Sequence, residues 1–151
     1  MDWVPHVTVA CVIERDGKFL CVEEQINGVS VINQPSGHWE RGETLIQGAV
    51  RETLEETGWD VEVQALLGVY EFKPAALDYC FLRFAFIATA LRHYPERPLD
   101  TGIERALWLT PTELETAAAR HRSPMVMRGV DDYRAGRRFP LDLIAHLTPS
   151  P

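Results

Sequence analysis

Apolar and polar positions fall into two periods along this chain. Residues 7–14 carry Val7, Val9, Cys11 and Ile13 on one side and Thr8, Ala10 and Val12 on the other. Both sides are largely apolar, as in a central strand covered twice. Asp16-Gly17 is a hairpin signal, and residues 19–22 return as a second strand. Residues 25–30 read as a loop with an Asn27-Gly28 turn, 31–33 as a short strand, and 35–37 as a turn. The period then changes to helical. Leu45, Ile46, Ala49, Val50 and Leu54 define an apolar arc, and Glu56 projects at the edge of that arc. Thr44 with Gln47 forms a capping box, Glu43 adds negative charge near the positive end of the dipole, and Gly58 is placed to end the helix.

Strand pattern resumes after this helix. Residues 59–65 alternate, 69–72 extend, and 79–89 form the longest apolar strand. Residues 73–78 and 91–102 read as loops, and 106–109 as a further strand. Thr110-Pro111-Thr112-Glu113 starts a second helix expected to run to about His121. Ser123-Pro124 starts a third helix that Gly136 ends, and residues 140–147 read as a last short turn or helix. Strands and helices mixed in this order predict an α/β fold, a single domain over residues 1–151.

The central helix carries the chemistry. Glu52, Glu55 and Glu56 stand at i, i+3 and i+4, within an arc of about 100°. Like charges so close destabilise a bare helix, so a hard cation held by carboxylate oxygens is expected between them. Composition narrows the partner. Net charge is −7 and the pI is near 5.2, which argues against general binding to nucleic acid or a membrane surface. An acidic protein that acts on an anionic phosphate needs a bridging cation. Cys11, Cys21 and Cys80 show no metal spacing and are expected to be reduced core thiols of a cytoplasmic protein. No apolar run is long enough to span a membrane, and residues 1–6 do not resemble a signal peptide.

The arrangement Gly37, five residues, Glu43, seven residues, Arg51-Glu52, two residues, Glu55-Glu56, one residue, Gly58-Trp59 resembles the Nudix box. Thr53 departs from it, since the family usually has an aliphatic residue there. Thr53 faces the core, and its hydroxyl needs a partner such as the carbonyl one turn back. Residues 5–13, 17–24, 32–38, 81–86, 122–126 and 136–144 look like the NudJ phosphatase branch of that family.

The resemblance implies a Nudix-type α/β/α sandwich with a mixed sheet and a loop-helix-loop catalytic motif. It implies water attack on phosphorus in a diphosphate, with magnesium, or manganese in its place, held by Glu52, Glu55, Glu56 and the Gly37 carbonyl. It assigns Arg51 to orienting glutamates. One of the glutamates, or Glu104 upstream of Trp108, orients or deprotonates the water. Trp39, Phe72 and Arg83, with Tyr70, are the candidates to line a site for a flat ring and a phosphate. The implied partner is a small phosphorylated molecule: a nucleoside di- or triphosphate, or the pyrimidine diphosphate of thiamine synthesis. Glu23-Glu24 stands where many nucleotide-cleaning relatives carry basic residues, which counts against an oxidised-nucleotide sanitiser. The alternatives are a sugar-nucleotide or dinucleotide hydrolase and a non-catalytic nucleotide-binding module. Oligomeric state is open.

Overall fold

The computed structural model describes residues 3–150. Its elements are β1 (His6–Val12), β2 (Glu14–Arg15), β3 (Lys18–Ile26), β4 (Val29–Asn33), β5 (Ser36–His38), α1 (Leu45–Thr57), β6 (Trp59–Phe72), β7 (Phe81–His93), β8 (Ile103–Leu109), α2 (Pro111–Thr116) and α3 (Met125–Arg134). Single 3-10 turns follow at Ala118–Arg120 and Leu141–Leu143.

Two sheets form. The first has the order β5-β1-β7-β6 and is mixed, because β1 runs parallel to β7 while β5 and β6 pair antiparallel. In the second, β3 pairs antiparallel with β2, β4 and β8. The alternation read from β1 is realised on both faces. Val9, Cys11 and Ile13 pack with Phe86 and with Ala49 of α1, while Val12 packs with Leu67, Ile87 and with Val126 and Val130 of α3. The result is the α/β/α sandwich. Cys11 and Cys21 are buried free thiols, both pushed up to about 12 by desolvation, whereas Cys80 is only half-buried ahead of β7.

Helix α1 has the caps expected of it. Thr44 accepts from the Gln47 amide, the Gln47 side chain accepts from the Thr44 amide, and Gly58 takes φ 73°. Its buried face is narrower and more polar than the apolar arc suggests: Gly48, Ala49, Glu52, Thr53, Glu56 and Thr57. Leu54 is only half-buried. Thr53 is fully buried and its hydroxyl donates to the Ala49 carbonyl at 2.8 Å. That bond adds to one already made along the helix, so Thr53→Val should change stability by no more than about 1 kcal/mol, read as a denaturation midpoint.

Several elements differ from the pattern reading, β7 and β8 among them, which run over Phe81–His93 and Ile103–Leu109 and so shorten the 91–102 loop. Residues 35–37 are not only a turn: β5 pairs with β1, with Val9 opposite Gly37, because β7 occupies the other edge of β1 and leaves this one open. The 25–30 loop shrinks to a two-residue turn, with Asn27 at φ 50° and Gly28 at φ 80°, so β3 and β4 pair up to Ile26 and Val29. Strand β6 is continuous, and three register shifts against β7 hide its alternation. Helix α2 ends at Thr116 because the Ala117 amide is shared among carbonyls of the preceding turn, and a 3-10 turn follows.

Candidate active site

Arg51 stands among the acidic side chains. Its Nε and Nη2 donate to the two oxygens of Glu43, each at 2.8 Å, which is a bidentate fork. Its Nη1 donates to Glu52 at 2.9 Å and to Glu55 at 3.1 Å, and its Nη2 also reaches the His38 carbonyl. Glu43 accepts from the Glu40 amide as well, and Arg51 holds its carboxyl below the usual carboxylate range. The guanidinium therefore ties the loop before α1 to the middle of α1.

Glu56 lies apart from this fork. It is 8% exposed, and its Oε1 accepts from the Ser36 amide at 2.8 Å. Burial pushes its carboxyl up to about 8; the Ser36 bond opposes the shift, and Glu24, Glu52 and Asp100 add to it. Glu52 is also raised by burial, against the pull of Arg51.

Gly37 is required by close approach. A Cβ at this position would fall 2.2 Å from the Glu52 carboxyl carbon. Gly37→Ala therefore displaces the Glu52 carboxylate. With Glu52 expected to hold the cation, the variant should lower kcat by roughly 10², with circular dichroism unchanged, since misplacing such a group by about 1 Å costs on that order.

The structure adds a carboxylate that pattern reading missed. Oxygens of Glu52, Glu55 and Asp100 lie within 4.8 Å of one another. Asp100 is brought there from the 94–102 segment by its own amide, which donates to the Glu55 carbonyl at 3.0 Å, and by the Tyr94 amide on the Gly58 carbonyl. The only local signal is an Asp before Thr101-Gly102 in a turn, which says nothing about where the turn folds. An all-oxygen, anionic donor set of this kind suits a hard divalent cation.

Glu104 is not brought to the cluster. It is exposed on β8, where Gln25 Nε2 and Ser30 Oγ bond its carboxylate. Strand alternation and the β3 bulge opposite it direct it to that neighbourhood, so the structure does not bring the Glu104 carboxylate to Glu52, Glu55 and Asp100.

A cavity of about 570 Å³ opens beside Ser36 and Gly37. Phe72 and Arg83 line it, as do Glu24 and Arg122. Trp39 does not; it is 46% exposed and its indole N–H donates to the Glu43 carbonyl, so it closes the loop before α1. Tyr70 points into a separate cavity and donates to Asp132 at 2.7 Å. Glu23 is buried and paired with Arg105 and Arg120.

Residues 4–128 match the NUDIX domain model. The chain belongs to the Nudix family. Phosphatase NudJ of Escherichia coli K12 is 42% identical over 140 residues, covering 93% of this chain and 90% of that protein. A Nudix hydrolase from Nitrosomonas europaea superposes with a TM-score of 0.93 at 45% identity, covering 95% of this chain and 98% of that one. The MutT Nudix hydrolase of Burkholderia pseudomallei, at 20% identity and a TM-score of 0.72 over 85% of this chain and 98% of its own, shares the fold. The chain is thus a Nudix hydrolase, similar to NudJ-type phosphatases. Among the described residues no helix is long and apolar enough to cross a membrane.

Proposed function

We propose that this Nudix hydrolase is a magnesium-dependent phosphoanhydride hydrolase of nucleoside di- and triphosphates and of the pyrimidine diphosphate of thiamine synthesis. One observation supports it above the rest: a carboxylate cluster held by Arg51 adjoins a cavity with a buried arginine.

Glu52, Glu55 and Asp100, with the Gly37 carbonyl, are the residues that would hold magnesium, and manganese would suit the same oxygens. When bound, the cation offsets phosphate charge and acidifies its water. Arg51 is a positioning residue that fixes Glu52 and Glu55. Glu56, turned aside to Ser36, keeps Oε2 free of that bond and takes the proton of the attacking water there. Arg83 and Phe72 receive the substrate in the cavity.

The test is a phosphate-release screen with magnesium over nucleoside di- and triphosphates, thiamine-pathway diphosphates, a sugar-nucleotide and a dinucleotide. Release from the first two groups is expected. Cleavage confined to the last two would reassign the substrate, and no cleavage of any would reject the hydrolase.

A further inference from the structure

Away from the carboxylate cluster, a second set of metal-ligating side chains meets at the start of β1. His6 Nδ1 and His38 Nε2 lie 3.2 Å apart. Register brings them together. Thr8 of β1 pairs with His38 of β5, so His6, two residues back, is diagonal to His38 on the same face.

Both rings are held. The His6 amide donates to the Cys80 carbonyl at 2.9 Å. The His6 ring stacks on Tyr79 with centroids 4.2 Å apart and meets Phe81 edge-on at 5.7 Å. The His38 carbonyl accepts from Arg51 at 3.2 Å, which fixes the backbone beneath its ring. The two imidazole planes are tilted by 57°, so the rings approach at their nitrogens and do not stack.

A hydrogen bond accounts for the contact as it stands, one ring donating to the other. The same separation suits an ion. Zinc–imidazole bonds are about 2.0–2.1 Å long, and two of them spanning 3.2 Å enclose an angle of about 100–106°, close to tetrahedral. The donating ring moves its proton to its other nitrogen, and both imidazoles then ligate in the neutral form. Ligand chemistry sorts two cations between two places. Carboxylate oxygens of Glu52, Glu55 and Asp100 suit magnesium, whereas imidazole nitrogen suits zinc. Among the described residues no third His, Cys, Asp or Glu joins the pair at the spacing seen in the carboxylate cluster, so further positions on the ion fall to water or a dissolved ligand.

We propose that His6 and His38 form a second cation site, which takes zinc between two imidazoles at the rim of the 570 Å³ cavity that His38 lines. With two protein ligands it is an exchangeable site, unlike a structural zinc site, which has four. It goes beyond the hydrolase reading and stands without it, since it needs neither the carboxylates nor a substrate.

The experiment follows the imidazole nitrogens of histidine-labelled protein by proton–nitrogen correlation, in excess magnesium, as zinc is added to one equivalent. His6 Nδ1 and His38 Nε2 should both move to the position of metal-bound nitrogen, while His93, His121 and His146 stay in place. His6→Phe keeps a ring on Tyr79 and removes one ligand. The zinc concentration that shifts His38 should then rise at least about tenfold, the smallest effect of losing even a supporting partner of a metal ligand. His38→Gln leaves its carbonyl to Arg51 and makes the same test at His6, which serves if His6→Phe does not fold. Zinc that moves neither imidazole, because Cys80 or the carboxylates take it, overturns the proposal. So does a shift of one histidine without the other in native protein, or equal affinity in native protein and variants; the pair is then a hydrogen bond only.

Discussion

Replacing Glu56 with glutamine is expected to lower kcat by about 10² or more while the protein stays folded. Glutamine keeps an oxygen for the Ser36 amide, so the link between α1 and β5 survives. It cannot take a proton, and it brings no negative charge to a cation. The same variant has a signature in stability. The Glu56 carboxyl is pushed up to about 8 from an ordinary 4.5, so the folded chain binds a proton that the unfolded chain has released. Stability of metal-free protein therefore falls as pH rises between those two values. Thermal melts in chelator at pH 5 and pH 8.5 should show a lower Tm at the higher pH, and Glu56→Gln should flatten that drop. Near-native turnover in the variant would remove Glu56 from the reaction.

Arg51→Met should produce the largest loss of stability. The Glu43 and Glu52 side chains are only 13% and 10% exposed, and Arg51 is the cation bonded to both. Removing one partner of a desolvated ion pair leaves the other charge uncompensated, at a cost of about 3 kcal/mol or more. For a chain of this length that is a Tm lower by roughly 6–12 °C. Arg51→Lys retains the charge but not the fork to Glu43, so it should recover less than half of the loss. Melts in chelator measure both. A change in Arg51→Met of less than about 1 kcal/mol would mean that the cluster holds itself without the guanidinium.

Much of this site was legible because it is local. The carboxylates, the arginine and both caps of α1 lie within one helix and its flanks, where a period of 3.6 residues decides which side chains meet. Thr53 was legible for the same reason, since its hydroxyl finds the carbonyl four residues back. What depends on distant pairing was not. Asp100 reaches Glu55 through a backbone bond made by an irregular segment, and no spacing announces it. Trp39 and Glu104 were misplaced because residue type suggests a role, whereas packing sends one to the Glu43 carbonyl and the other to Gln25. The pairing of Thr8 with Arg83 depends on the parallel register of β1 and β7, 75 positions apart in each bridge, as in Val7 with Leu82 and Thr8 with Arg83. Strand β5 lacks a pattern of its own, and exists because β1 has a free edge.

Manganese uptake, followed by the loss of the free-ion paramagnetic resonance signal, measures most directly whether these carboxylates hold a cation. Native protein should take up manganese, magnesium should displace it, and a Glu52→Gln/Glu55→Gln double variant that still melts cooperatively should take up almost none. Equal uptake by the native and double-variant proteins, or none by either, would contradict the assignment.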